Sequence, residues 1–269
     1  MAGQIIRNGI LLITLWVATL GAQSGAPAFD VVSVKRSAST ENNWAYGPRP
    51  GGQFVATNAL IRPLIAYAYN VRDVQVVGGP DWLESRRFDI VAKTGTGDVP
   101  FDRLRELLQS LLADRFKLVT HPDTRERPLF VLALAREDGT LGPALHRSSV
   151  NCSGLPKGLD TPLPKGSRPV CGIIGNDTSI IGGAVPLKMI ADALAGRVNG
   201  VVVDQTGLSG GYDFDLSFTP DVRTGDTPAG AAGPSLFTAV QEQLGLRLRA
   251  QRGPVDVVVI DSVEQPAEN

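Results

Sequence analysis

The chain has 269 residues, of which 43% are hydrophobic and 20% are charged, a composition typical of globular proteins rather than disordered or fibrous ones. This length allows one large domain or two small ones with a substantial core. The net charge of −1 argues against a nucleic-acid partner, which would require a concentrated positive surface.

Residues 1–28 are predicted to be an export signal. Arg7 supplies the positive charge, residues 9–21 (GILLITLWVATLG) form an apolar stretch, and small residues follow between Gly21 and Ala28. The apolar stretch is shorter than the roughly 20 residues that a membrane span needs. A buried N-terminal helix is the alternative interpretation. Export would place the rest of the chain in the periplasm or outside the cell, without a transmembrane span.

The first half begins with a pair of predicted strands at residues 29–35 and 53–57, separated by a long polar loop that carries Trp44 and Tyr46. A helix is predicted at 60–69, where Pro63 is tolerated because it lies in the first turn. Two strands follow around a glycine-rich turn, at residues 74–77 and 87–93.

A second unit with the same order of elements follows. Residues 102–116 have leucines at helical spacing, with Asp102 placed to cap the helix. Strands are predicted at 116–120 and 128–136, with the polar sequence HPDTRER between them as a turn. The second of these strands is apolar on both faces, which indicates a position inside a sheet.

Residues 141–183 show no periodicity and are predicted to be an irregular linker. They contain both cysteines of the chain, Cys152 and Cys171. In an exported protein a disulfide between them would close a loop of about 20 residues and stabilise the fold by about 3 kcal/mol. A reactive thiol or a metal pair are the alternatives. With only His121 and His146 as further soft ligands, a zinc site is disfavoured.

Two more units are predicted in the second half. The third has a helix at Leu187–Val198, a short strand from Val201, a glycine-rich turn and an alternating strand at 212–218. The fourth has a helix at 235–244, ended by Gly245, and strands at 246–250 and 255–261.

The four units predict an α+β fold built from repeated helix–strand–strand (αββ) units. They pair into two halves, residues 29–140 and 184–269, each a small, mainly antiparallel sheet covered by helices. The segments VVGGPDWLESRRFDIVA and VVVDQTGLSGGYDFDLS align with one gap, which places Asp89 over Asp213. In this interpretation the two strands of each unit form a hairpin.

The turn Gly207-Leu208-Ser209-Gly210-Gly211 matches the G-x-S-x-G pattern of hydrolase nucleophiles. That motif requires a helix after the serine, whereas an alternating strand follows here, so a glycine-rich hairpin turn is the preferred interpretation. The neighbouring carboxylates Asp204, Asp213 and Asp215 could serve acid–base chemistry or bind Ca²⁺. Solvated charges on the exposed face of a strand explain them equally well.

Three aromatic residues are candidates for a binding surface. Trp44 and Tyr46 lie on a polar loop with little apolar sequence around it, a context typical of ligand or partner surfaces. Trp82, in the GGPDWL turn, is a weaker candidate because it could also be a hydrophobic plug. The sequence contains neither a phosphate-binding glycine loop nor a metal-ligand cluster, so no cofactor and no metal are predicted.

Several blocks, among them FDVVSVKRS, VVGGPDWLESRRFDIVAK and VVDQTGLSGGYDFDLSFTPD, together resemble the Solibacter-type family of secreted proteins of unknown function. The resemblance extends from Phe29 to Asn269, and that family has no established activity or catalytic residues that could be carried over to this chain. The αββ units are also similar, more weakly, to N-terminal domains of secretins and TonB-dependent receptors, which bind other proteins.

These observations favour an exported, non-enzymatic module that binds an envelope protein or a small ligand. One alternative is an extracytoplasmic hydrolase that uses carboxylates near Asp204 and Asp213. A structural component of the envelope is the other.

Overall fold

The computed structural model describes residues 27–39, 43–152, 167–219 and 233–266. These residues form four α-helices and three four-stranded sheets. The strands are β1 (Val31–Arg36), β2 (Ala45–Arg49), β3 (Gln53–Leu60), β4 (Val76–Gly78), β5 (Arg87–Lys93), β6 (Val119–Leu134), β7 (Leu145–Arg147), β8 (Gly172–Asn176), β9 (Ser179–Val185), β10 (Val202–Asp204), β11 (Tyr212–Ser217) and β12 (Leu246–Ser262). The helices are α1 (Ile61–Ala68), α2 (Phe101–Phe116), α3 (Leu187–Val198) and α4 (Leu236–Leu244).

The helices lie where the apolar spacing predicts them, within a residue or two at each end. Pro63 falls in the first turn of α1, where a missing N–H costs nothing. Ser235 caps α4 by accepting a hydrogen bond from the Thr238 amide, and Gly245 ends the helix at φ 68°. Helix α2 differs in detail, because Pro100 rather than Asp102 is the N-cap residue.

The predicted fold class is wrong. Strands make up 41% of the described residues and helices 25%, so the protein is a sheet-rich fold with three sheets instead of two small sheets covered by helices. The first sheet has the order β1-β5-β3-β2, the second β10-β6-β12-β4 and the third β7-β11-β9-β8. The first and third sheets are antiparallel throughout.

The sequence does not predict the second sheet, because each of its two long strands is interpreted as two shorter ones. Strand β6 has 16 residues and β12 has 17, and they pair antiparallel along almost their whole length. The polar sequence HPDTRER at 121–127 is therefore part of a strand. Most of its side chains are exposed, so the segment lacks the apolar residues by which a strand is recognised in a sequence.

The predicted hairpins of the first and third units are also wrong. Strand β4 pairs in parallel with β12 in the second sheet, whereas β5 belongs to the first sheet. Strand β10 pairs in parallel with β6, whereas β11 belongs to the third sheet. The glycines between these strands, with Gly78 and Gly79 at positive φ in one connection and Gly207 and Gly210 in the other, redirect the chain from one sheet to the next.

The first and third sheets match each other strand by strand. Each is completed by the first, second, third and fifth strands of its own part of the chain, in the same spatial order. The second sheet takes the remaining strands from both parts, because β4 joins β12 and β10 joins β6. The two parts of the chain are therefore interlocked through the second sheet.

The same backbone irregularity occurs in β3 and β9, two residues before the N-cap of α1 and of α3. Asn58 and Ala184 have φ values of 52° and 49°, a left-handed conformation that is costly for residues other than glycine. The Asn58 amide donates to the Asp89 carboxylate at 2.7 Å, and the Ala184 amide donates to the Asp213 carboxylate at 2.8 Å. Each aspartate thus stabilises a bulge that turns a strand into a helix.

The hydrophobic core consists of three clusters. One lies between the first sheet and helices α1 and α2, and the second lies between the third sheet and helices α3 and α4. A smaller cluster lies on the long strands of the second sheet. The second sheet contributes Ile260 to the first cluster and Leu132 and Leu246 to the second, so the same ribbon packs against both.

Candidate functional site

An aromatic cluster lies at the edge of the first sheet that is formed by β2. Trp44 immediately precedes β2 and stacks on Tyr46, with ring centroids 5.5 Å apart and an interplanar angle of 20°. Tyr46 makes an edge-to-face contact with Tyr67 of α1, with ring centroids 5.4 Å apart. The Tyr67 ring also packs against Phe54 of β3. Trp44 is 51% exposed, so one end of the cluster is open to solvent while the other is anchored in the core.

Tyr67 connects this cluster to a cleft of about 300 Å³. One side of the cleft is formed by the end of α1 and the segment after it, residues 66–75, together with Arg105 of α2. The other side is formed by α3, with Lys188, Asp192 and Ala195, and by residues 201–202. The cleft therefore lies between α1 and α3, two helices that occupy equivalent places in the chain. Ligand sites form preferentially at junctions of this kind.

The charged groups of the cleft are held by identifiable contacts. Lys188 pairs with Asp192 at 2.9 Å, and Arg105 pairs with Asp102 at 3.1 Å. The guanidinium of Arg72 donates to the backbone carbonyl of Asp192 across the cleft. Gln75 holds the segment that follows α1 in place, because its side-chain oxygen accepts a hydrogen bond from the Arg72 backbone amide at 3.0 Å. Arg72 thus crosses from the α1 side to the α3 side.

Three ionisable groups around the aromatic cluster have shifted pKa values. Burial raises the pKa of Tyr46, and the negative charge of Asp73 raises it further. Burial also raises the pKa of Tyr67, with the positive charge of Arg105 acting in the opposite direction. Although Asp73 is open to solvent on part of its surface, desolvation of its carboxylate raises its pKa against the effect of Arg62 and Arg72. Both tyrosines are therefore neutral hydroxyls at neutral pH.

Trp82, the third aromatic candidate, lies in a different environment. It belongs to a 3₁₀ turn at Asp81–Glu84 and makes an edge contact of 6.2 Å with Phe88 in the core of the first sheet. Its ring is partly buried, and among the described residues no ring contact joins it to Trp44 or Tyr46. The structure thus groups Trp44 with Tyr46 and places Trp82 apart from them.

The three acidic candidates make contacts within the fold. Asp204 accepts from the amide and the hydroxyl of Thr206 at 2.9 and 2.7 Å. Asp213 supports the bulge at Ala184, and Asp215 forms an ion pair with Arg168. A different aspartate contacts a histidine. On the ribbon formed by β6 and β12, the carboxylate of Asp261 lies 2.8 Å from His121 Nδ1.

The predicted disulfide is confirmed. Cys152 and Cys171 are bonded, with their Cα atoms 5.9 Å apart. The bond anchors the residue immediately before β8 to the segment after β7. In the part of the chain that the structure describes, no group of three or more His, Cys, Asp or Glu side chains could hold a metal ion. In the same residues, no helix is both long enough and apolar enough to cross a membrane.

None of the residues that line the cleft is among the sequence candidates, and this includes its tyrosine and its three basic residues, Tyr67, Arg72, Arg105 and Lys188. Tyr67 lies off the apolar stripe of α1, and an aromatic residue off such a stripe is the one local signal that could have indicated it. The three basic residues have no local signal, because charges on helices and loops are usually solvated. They converge only through the packing of elements that are far apart in sequence.

A family model described as a protein of unknown function, DUF3738, matches residues 62–263. The match begins in the first turn of α1 and ends one residue after β12, and it therefore includes both sides of the cleft. No curated protein and no solved structure matches the chain.

Proposed function

The chain belongs to the DUF3738 family of proteins of unknown function, and we propose that it is an exported module that binds a small ligand. The ligand site is the cleft between α1 and α3. Tyr67 lines this cleft, and Tyr46 and Trp44, which pack one behind the other against Tyr67, extend it into an aromatic wall outside the cleft. The single observation that carries this proposal is the position of Tyr67. Its ring touches the exposed aromatic cluster and also lines the cleft.

The aromatic wall suits a binding function for a physical reason. Tyrosine and tryptophan offer large, rigid contact surfaces that lose little conformational entropy when a ligand binds. Tyr67 is held between Tyr46 and Phe54, so its orientation is fixed before a ligand arrives. A site that is ordered in advance avoids part of the cost of binding. Trp44, with half of its surface open, extends this wall to the solvent.

Export is part of the same proposal. The arginine and apolar stretch in residues 1–28 are typical of an export signal, although these residues lie largely outside the described part of the chain. The Cys152–Cys171 disulfide supports an oxidising compartment, where such bonds persist. The Solibacter-type resemblance adds support, since that family is secreted.

Among the residues that the structure describes, no observation supports the hydrolase alternative. It relies on Asp204 and Asp213, and the carboxylate of each accepts a backbone amide that a turn or bulge presents. A glycine-rich connection, not a helix, follows Ser209, so the requirement of the nucleophile motif is not met. The structural-component alternative likewise rests on no particular residue.

A thermal-shift screen of the full chain tests the proposal. The compounds would be monosaccharides, amino acids, aromatic acids and organic phosphates, each measured against wild type, Trp44→Ala and Tyr67→Ala. We expect at least one compound to raise the melting temperature of wild type and to lose most of this effect in Tyr67→Ala. Phe237→Ala is the matched control, because Phe237 is 40% exposed on α4 and lies outside the cleft.

The proposal fails if no compound stabilises wild type. It also fails if every stabilising compound acts equally on wild type, Tyr67→Ala and Trp44→Ala. A compound whose effect depends on Phe237 but not on Tyr67 would place binding at another surface.

A further inference from the structure

The polar groups of the cleft are mostly hydrogen-bond donors. Arg72, Arg105 and Lys188 line it with three positive charges, while Asp192 is the carboxylate among the lining residues. Asp192 is already bound to Lys188 at 2.9 Å. The walls of the cleft therefore offer more donors than acceptors, and a bound ligand that supplies acceptors would satisfy them.

Arg105 provides an independent observation. Its Nη1 pairs with Asp102 at the start of α2, where the Asp102 side chain is 85% exposed. Its Nε–H is buried and has no hydrogen-bond acceptor among the described residues. A buried N–H group without an acceptor is unfavourable, because nothing compensates for its desolvation. This donor belongs to a residue that lines the cleft, and it is two residues away from a solvated arginine, Arg103.

The aromatic wall defines the other end of the ligand. Tyr67 and Arg105 both line the cleft, and they are close enough for the charge of Arg105 to lower the pKa of the Tyr67 hydroxyl. A ligand that contacts both would present an apolar ring to Tyr67 and an acceptor-rich group to Arg105. Guanidinium groups bind carboxylates and phosphates through two parallel hydrogen bonds, which gives such a contact a defined geometry.

We propose that the cleft binds a small anion with a ring-shaped body, in which a carboxylate or phosphate group contacts Arg105 and Arg72 and the ring packs on Tyr67. This inference rests on the proposed binding function and specifies its ligand class. Carboxylate and phosphate share the chemistry that the cleft recognises, and the measurement below separates them.

The test uses four probes that share a benzene ring and differ in charge: benzoate, phenyl phosphate, benzyl alcohol and benzylamine. Their dissociation constants are measured by calorimetric titration with the full chain. We expect one or both anions to bind and the neutral and cationic compounds to bind at least tenfold more weakly. The stronger of the two anions identifies the preferred acidic group.

Two arginine variants on the same helix localise the anion. Arg105→Gln is expected to weaken binding of the anionic probe roughly ten- to a hundredfold, as expected for a hydrogen bond to a charged group. Arg103→Gln is the matched control, because Arg103 also forms an ion pair three residues along α2, with Glu106 at 2.7 Å, but lies outside the cleft. It should leave the dissociation constant unchanged.

The outcomes separate the two proposals. If benzyl alcohol or benzylamine binds as tightly as the anions and Tyr67→Ala abolishes this binding, the anion inference is overturned and the binding function stands. Equal losses of affinity for the anionic probe in Arg105→Gln and Arg103→Gln would show that the effect comes from the overall charge of the protein. This result would also overturn the inference. If no probe binds in a way that depends on Tyr67, the inference is overturned, and the wider compound screen decides the binding function.

Discussion

The first and third sheets have the same strand order but different chemistry at the same edge. Trp44 immediately precedes β2 in the first sheet, and Cys171 immediately precedes β8 in the third. At the first edge the chain exposes an aromatic ring, and at the second it forms a covalent bond to Cys152. Equivalent strands in one architecture thus follow an exposed aromatic ring in one place and a disulfide in the other.

The two sheets also differ in the sizes of the paired side chains behind these edges. Ala56 of β3 lies opposite Ile90 of β5, and at the matching place Gly182 of β9 lies opposite Phe214 of β11. A Cβ atom added to Gly182 would lie 2.2 Å from the Phe214 ring. A smaller residue thus accompanies a larger partner in the third sheet. The comparison indicates that the two sheets share a backbone while their cores are filled independently.

The largest effect is expected from the disulfide. Replacing both Cys152 and Cys171 by serine should lower the free energy of unfolding by about 3 kcal/mol, because the unfolded chain regains the entropy of the closed loop. Urea denaturation measures this loss, and far-UV circular dichroism should show an unchanged fold. Ligand binding in the cleft between α1 and α3 should also be unchanged. Free thiols at both positions in non-reducing peptide mapping would contradict this account.

The two bulge aspartates should behave alike. Asp89→Ala and Asp213→Ala should each cost about 1–3 kcal/mol, since each leaves a backbone amide without its charged acceptor. The measurement is chemical denaturation of both single variants. Asp215→Ala, two residues further on the same strand, is the control. The Asp215 side chain is half-exposed in its ion pair with Arg168, so the change should cost less than about 1 kcal/mol. A loss confined to one of the two bulges would break the equivalence of the sheets.

The packing exchange makes a smaller prediction. Gly182→Ala should cost about 1–2 kcal/mol through overpacking against Phe214. Combining it with Phe214→Ile recreates the residues of the first sheet, so the double variant should be more stable than the sum of the single effects predicts. A double-mutant cycle by denaturation measures this coupling. Strict additivity of the two changes would show that Gly182 and Phe214 do not compensate for each other.

The smallest effect is expected at Asp73, whose charge raises the pKa of Tyr46 in the aromatic cluster. Its folded-state pKa is raised by desolvation, so the ionised carboxylate disfavours folding, and stability is lost as the pH rises through this pKa. Asp73→Asn should therefore raise the melting temperature slightly at pH 7. The gain should shrink as the pH is lowered through the raised pKa towards the usual range of aspartate. A gain that is constant with pH would contradict this assignment.

The sequence predicts local structure better than the partners of the strands. The apolar spacing of α1 to α4, the position of Pro63 and the cap at Gly245 are local signals, and the helices follow them. Strand pairing is not local. An alternating pattern shows which face of β5 or β11 is buried, but it does not identify the sheet to which the strand belongs.

The residues that line the cleft show the same limit of local signals. Trp44 and Tyr46 are conspicuous because aromatic residues in a polar segment are unusual, and the structure brings them together. Arg72, Arg105 and Lys188 come from a loop and two helices, where each has an ordinary solvated context. Only the interlocking of the chain through the second sheet brings α1 and α3 to opposite sides of one cleft.

A crystal structure of the full chain soaked with phenyl phosphate and benzoate is the most direct test of the central claim that the cleft between α1 and α3 is a ligand site. We predict electron density for a ring against Tyr67 and for the acidic group within hydrogen-bond distance of Arg105. The result that would contradict it is a ligand found only elsewhere, such as the cavity of about 700 Å³ between Pro48 and Phe101, with the cleft empty.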